Sequence, residues 1–283
     1  MINSSRGKNQ VVVASVQMDV VYDDVNDTVS RVCDWIEKAA TEKADIVLFP
    51  ELVLSGGYAL KEKFYKVAET VPGPSTEQVA AEARKHGLYV IVGLAERTEL
   101  DVLYDSAVLI NRNGEIQGVY RKTHIFPPTE SVFSPGNELP VFETDFGRIG
   151  ILICYDLEFP ETARVMALCG ARILFHLVAD WPQGVPGTPE RLFETSFPAR
   201  ALENRIAVVI SNRVGKDPDL KSSFYGLSRI IGVQGEVIAE AGGDEEMITA
   251  KLVLSDMRYE REKYNYFRDR KPHLYEVISR PVS

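Results

Sequence analysis

From Gln10 to Leu254, short apolar runs rich in β-branched residues alternate with amphipathic segments of helical spacing, with neither linker nor repeat between them. That alternation restricts the chain to an α/β architecture, read here as one domain over residues 1–283 with about 256–283 as a C-terminal helix and tail. Val25, Val29, Val32, Ile36, Ala39 and Ala40 recur at helical spacing, which predicts a helix over Asp24–Lys43 lying on a sheet. Further helices are expected over Ser75–His86, Phe159–Leu168 and Pro189–Asn204. Strands are expected at Gln10–Met18, Leu88–Ala95, Val141–Thr144, Arg148–Ile153, Arg172–Val178, Ile206–Ser211, Tyr225–Val233, Glu236–Ala241 and Met247–Leu254. Asn113-Gly114 between Val102–Ile110 and Glu115–Tyr120 marks a hairpin. Antiparallel hairpins within an α/β alternation point to two packed sheets with helices outside. The polar stretch Asp256–Arg270 reads as a surface helix.

Composition narrows the function. With 283 residues and 45% hydrophobic content the chain can bury a large core. A net charge of −9 argues against a nucleic-acid or anionic-membrane surface. No apolar run approaches bilayer length, and Val11-Val12-Val13-Ala14 is too brief for a signal peptide. Three cysteines without metal-type spacing make a disulfide framework or zinc site unexpected and fit a reduced cytoplasm. Cys33 and Cys169 read as buried filler. His86, His176 and His273 have no ligand spacing and read as packing or surface residues. Neither a metal nor a cofactor is implied.

Three strand-like runs stop on a reactive side chain. Ala44–Phe49 leads through Pro50 to Glu51, Gln117–Arg121 leads to Lys122, and Gly150–Ile153 ends on Cys154. Ligands of open α/β sheets collect beyond the carboxyl ends of strands, so the three groups could converge there. A thiol hydrolase needs a base, a nucleophile and a fixed cation where an oxyanion develops. The helix start at Phe159-Pro160-Glu161 would put Cys154 near a helix N-terminus, a position that favours its thiolate. Taken singly, Glu51 is also readable as a surface turn residue, Lys122 as a solvated charge and Cys154 as core.

Together, Phe49-Pro50-Glu51, Tyr120-Arg121-Lys122-Thr123-His124 and Cys154-Tyr155-Asp156-Leu157-Glu158-Phe159-Pro160-Glu161 resemble the nitrilase superfamily of carbon–nitrogen hydrolases. Phe133-Ser134-Pro135-Gly136, Arg200-Ala201-Leu202-Glu203-Asn204 and Asn212-Arg213-Val214-Gly215 follow in the same order. The resemblance implies a four-layer α-β-β-α sandwich, a homodimer or higher homo-oligomer, and a Glu51, Lys122, Cys154 triad forming a thioester from a small-molecule amide. It also implies that the Tyr155 N–H helps stabilise the oxyanion and that Glu130 supports Lys122 and positions substrate.

Substrate is the harder question. Tyr155-Asp156 and Phe159-Pro160-Glu161 resemble the amidase and carbamoyl-amide branches. Many of those carry arginine at the positions of Leu157 or Glu158. Without it a substrate carboxylate lacks its usual bidentate partner, which favours a neutral or cationic amide, including carbamoylputrescine-like amines. Glu158 is equally readable as a residue that starts the helix. Tyr58 and Trp181 stand on loops at strand ends and are candidate pocket walls or helix–sheet packing. Arg200 and Glu203 read as a structural ion pair, and His124 as a hydrogen-bonded loop residue rather than half of a Cys–His pair. A true nitrilase, a glutaminase with a separate synthetase partner, acyl transfer to a nucleophile other than water and a non-catalytic scaffold remain open.

Overall fold

The computed structural model describes residues 9–56, 61–127, 129–181 and 191–281. One six-stranded sheet is built from β1 (Gln10–Gln17), β2 (Ile46–Leu48), β3 (Tyr89–Arg97), β4 (Leu103–Ile110), β5 (Ile116–Arg121) and β14 (Glu246–Val253), in the order β14-β1-β2-β3-β4-β5. The other contains β6 (Val141–Thr144), β7 (Gly147–Ile153), β8 (Ile173–Val178), β9 (Ala207–Asn212), β12 (Arg229–Ile231) and β13 (Val237–Glu240), in the order β13-β12-β9-β8-β7-β6. A two-residue pairing of β10 (Lys216–Asp217) with β11 (Ser222–Ser223) stands apart. Each large sheet has a parallel centre, β1-β2-β3 in the first and β7-β8-β9 in the second, and antiparallel edges.

Side-chain alternation explains the layering. In β1, β2, β3 and β4, residues such as Val13, Ile46, Ile91 and Leu109 join the core shared with the second sheet. Their neighbours Ala14, Val47, Val90 and Val108 join a separate core under α1 (Val25–Thr41) and α3 (Pro74–His86). On the far side, α4 (Pro160–Leu168) and α5 (Phe197–Asn204) cover the second sheet with Ala163, Met166, Phe197 and Ala201. Ser15 Oγ donates to the Ile210 carbonyl at 2.7 Å and Ser211 Oγ to that of Val16 at 2.5 Å, so hydroxyls bind the two sheets face to face. The result is the expected four-layer α-β-β-α sandwich.

Several expectations are corrected. Of the strand expected at Tyr225–Val233 only Arg229–Ile231 pairs, because Gly226 (φ +69°) and Leu227 (φ +60°) take left-handed backbone. The helix expected over Asp256–Arg270 is α6 (Leu254–Lys263) and then a separate turn, Tyr266–Asp269. Asn265 breaks it by capping the second piece, accepting from the Arg268 N–H at 3.0 Å. Nor is α6 wholly a surface element, since Leu254, Met257 and Glu260 are buried. The helix α2 (Lys61–Val67) was not expected. Cys169 is exposed rather than buried, at the C-terminal cap of α4 where the chain turns at Gly170.

Candidate active site

The C-terminal ends of β2, β5, β7 and β8 open on one region between the sheets. The Phe49 N–H donates to the Ile91 carbonyl at 3.0 Å and the Glu51 N–H to that of Val178 at 3.4 Å, so the turn after β2 bridges the sheets. This turn lies directly on β3: a Cβ at Gly93 would stand 2.7 Å from the Leu52 nitrogen and 3.1 Å from the Pro50 oxygen. Lys122 leaves β5 with its N–H on the Asp105 carbonyl at 2.9 Å, and its own carbonyl accepts from Gly136 at 2.7 Å. A side chain at Gly136 would collide with the Arg121 carbonyl, which is why Phe133-Ser134-Pro135 ends in glycine. Cys154 follows β7 in left-handed backbone (φ +43°) and opens a 3₁₀ turn, Cys154–Glu158. Such backbone on a non-glycine residue persists only where the surroundings enforce it.

Glu51, Lys122 and Glu130 are brought into contact and fully buried. Lys122 Nζ donates to Glu51 Oε1 at 2.7 Å and Glu130 Oε1 at 2.6 Å, and the Phe126 N–H donates to Glu130 Oε2 at 2.8 Å. Burial alone would lower the Lys122 pKa, but Glu51 and Glu130 overcome it and hold the ammonium charged well above its ordinary range. Burial raises the Glu51 carboxyl, against the pull of Lys122. Cys154 lies within electrostatic reach of the same groups. Its thiol is pushed well up, first by burial and then by the Glu51 charge, and Lys122 only partly offsets this. The short 3₁₀ turn does not make a resting thiolate, contrary to the expectation from position.

Two side chains fix the turn. Buried Asp156 accepts from Tyr120 Oη (2.7 Å), Thr123 Oγ1 (2.8 Å) and the His124 N–H (2.8 Å) on the Lys122 side, and from the Ile153 N–H (3.2 Å) on the Cys154 side. His124 Nδ1 is 2.9 Å from the same carboxylate, and its ring stacks on Phe159 at 3.9 Å. Burial would raise Asp156, yet hydrogen bonds from His124 and Tyr120 lower it, so it stays ionised and ties the lysine strand to the cysteine turn. His176, buried in β8, donates from Nε2 to the Cys154 carbonyl at 2.9 Å, while Nδ1 has no partner among the described residues. Burial lowers it to about 4, so it is neutral and serves as a strut.

A cavity opens over Cys154 between Phe126, Tyr155, Trp181 and Phe197, with Glu130, Glu158 and Asp180 as its acidic wall. Trp181 packs edge-on to Phe224, and Tyr155 edge-on to both Phe126 and Phe159. Glu158 is exposed on one side, but burial on the other raises its carboxyl. Its carbonyl and that of Leu157 accept from Arg200, whose NH1 is 3.4 Å from Glu203. Tyr58 lies outside the described residues. Sequence reasoning missed Asp105, His176 and Asp180. A lone carboxylate inside the strand Leu103–Ile110 was the available signal for Asp105, whereas Asp180 gave none beyond following an apolar run and His176 none beyond interrupting one.

The model of the carbon–nitrogen hydrolase family matches residues 12–261. A probable nitrilase of Schizosaccharomyces pombe is 36% identical over 95% of this chain and 98% of its own. The N-carbamoylputrescine amidase of Solanum lycopersicum is 32% identical over 96% of each. A crystal structure of a carbon–nitrogen hydrolase from Helicobacter pylori superposes with a TM-score of 0.89 at 26% identity, covering 97% of this chain and all of that one. The chain therefore belongs to the carbon–nitrogen hydrolase family, the nitrilase superfamily, and is an enzyme of amidase type. No helix among the described residues is long and apolar enough to cross a membrane.

Proposed function

We propose that this enzyme, one domain over its whole length, hydrolyses a small amide or N-carbamoyl amine through a thioester on Cys154. The observation that carries the reading is a buried Lys122 clamped between Glu51 and Glu130 within electrostatic reach of Cys154, which lines a cavity. Glu51 takes the Cys154 proton as the sulfur attacks the carbonyl carbon. Lys122 Nζ and the Tyr155 N–H stabilise the oxyanion. Collapse breaks the carbon–nitrogen bond, and Glu51 returns its proton to the leaving nitrogen. Water then passes a proton to Glu51 and attacks the thioester, and the departing sulfur recovers that proton. Glu130 keeps the ammonium in place. A short amide mixed with the enzyme and acid-quenched within a turnover should leave the acyl mass on the peptide containing Cys154. Steady turnover with no such adduct, or an adduct on another residue, would falsify the thioester.

The acidic wall supports a cationic or neutral substrate. Among the described lining residues Glu130, Glu158 and Asp180 are acidic, none is lysine or arginine, and His176 is neutral. The relative in Solanum lycopersicum is named for an amine-bearing carbamoyl substrate. Glu158→Arg should shift the kcat/KM ratio from amine-bearing toward carboxylate-bearing carbamoyl compounds by about tenfold or more, a moderate figure because the side chain is partly solvated. An unchanged ratio would remove Glu158 from substrate selection. Exposed Leu274, Val277 and Ile278 in the tail support pairing of two copies, and free thiols at Cys33, Cys154 and Cys169 support a reducing, cytoplasmic setting.

A further inference from the structure

Behind the proposed site stands a third carboxylate that the mechanism does not use. Asp105 projects from β4 and is fully buried. Neither of its oxygens has a hydrogen-bond partner among the described residues, and neither does Glu51 Oε2. Carboxylate oxygens of Asp105, Glu51 and Glu130 lie within 4.8 Å of one another. That spacing would suit a cation, and the Lys122 ammonium already stands there: Nζ is 2.7 Å from Glu51, 2.6 Å from Glu130 and 3.6 Å from Asp105. Three ionised carboxylates around one ammonium would leave two negative charges uncompensated out of water, which a protein avoids by holding a proton. Glu130 has Lys122 and the Phe126 N–H, and Glu51 has Lys122. Asp105 meets the ammonium only at a distance too long for a hydrogen bond, and its other polar neighbour is the Glu51 carboxylate, to which it can hydrogen-bond only if one of the two is protonated.

We propose that Asp105 is the group holding this proton, and that its neutral carboxyl faces Glu51 as a positioning residue for the reaction. Burial, and next the Glu51 charge, drive the Asp105 carboxyl well above its usual range, in keeping with the geometry. A neutral Asp105 can donate to Glu51 Oε2 and hold that carboxylate against Lys122. It also withholds a second negative charge that would raise Glu51 further and spoil it as a base for the thiol. The positioning role rests on the reading of Glu51 as base; the proton itself does not.

A protonated aspartate has nearly the shape and donor capacity of asparagine. Asp105→Asn should therefore keep kcat/KM at neutral pH within about threefold of wild type, since donor and volume are preserved. Asp105→Ala should lose about 10²-fold in kcat with KM little changed, because Glu51 loses its support. The infrared spectrum of the wild-type enzyme in heavy water at neutral pH should contain a protonated-carboxyl carbonyl band that is missing from Asp105→Asn. Absence of the band in wild type, its persistence in Asp105→Asn, or an Asp105→Asn variant as slow as Asp105→Ala overturns the proposal. Failure of the base reading shows separately, as turnover that survives Glu51→Gln while the band is unchanged.

Discussion

Cys154→Ala is expected to reduce amide turnover by about 10⁴-fold or more while the protein still folds, because a covalent route has no partial substitute for its nucleophile. Folding should survive because the change removes one atom from a partly buried side chain, and alanine is no worse than cysteine in the left-handed backbone there. Glu51→Gln should also lose turnover, by about 10²–10⁴-fold, the usual worth of a general base. The two variants then part company in a way that tests the electrostatics. In wild type the Glu51 charge helps push the Cys154 thiol up. Glutamine removes that charge while Lys122 remains, so the thiol of Glu51→Gln should be alkylated by iodoacetamide at lower pH than wild type, although its hydrolysis is nearly gone. A Glu51→Gln enzyme that both turns over normally and alkylates with the wild-type pH profile would show that the base lies elsewhere. Measured kcat/KM, melting temperature and alkylation rate against pH decide the matter together.

The sequence made this region visible where chemistry interrupts a hydrophobic pattern. Glu51 and Cys154 stand where an apolar run stops and Lys122 where a strand-like run stops on a cation; β2 and β7 belong to the parallel centres and β5 is an antiparallel edge strand that runs in the same direction as β2. Gly136 entered only as the end of the Phe133-Ser134-Pro135-Gly136 motif, and its cause, close packing on the Arg121 carbonyl, needed three dimensions. What stayed hidden depends on contacts between distant segments. Asp156 was legible as part of a motif, but its work as a clasp between the Lys122 and Cys154 turns comes from five donor groups that converge on one carboxylate. The thiol was misjudged because proximity to a helix start is a local property, whereas burial and the charge of Glu51 arrive through the fold. The Tyr225–Val233 strand was overextended because apolar content says little about backbone sign at Gly226 and Leu227. Asp105 sits mid-strand, where alternation alone assigns it a face and no role.

Removing the cation should be the most damaging single change to stability, and it should slow the reaction as well. In Lys122→Met the methionine fills most of the space, but Glu51, Glu130 and Asp105 then face one another with no positive charge among them. Breaking a buried ion pair from one side costs about 3–5 kcal/mol, which for a chain of this length lowers the melting temperature by roughly 10 °C. On the proposed mechanism, loss of Lys122 as oxyanion donor adds a drop of about 10²–10³-fold in kcat. The pH dependence has a definite sign. Glu51 and Asp105 are already raised in the folded state, and loss of the ammonium that lowers both raises them further. An acid raised on folding binds its proton more tightly folded than unfolded. The part of the Lys122→Met deficit carried by these carboxylates should therefore be small near the ordinary carboxylate range of about 4 and grow as pH rises toward the raised folded values. Wild-type Lys122, raised on folding, contributes its stability in full below the ordinary lysine range and loses it only as pH climbs through the raised value. Lys122→Met combined with Glu130→Gln, which removes one of the stranded charges, should recover part of the melting temperature and none of the turnover. Thermal melts between pH 5 and 8 beside amide kinetics separate the two roles. If Lys122→Met melts like wild type throughout that range, the carboxylates do not depend on the ammonium and the electrostatic account of the site fails with it.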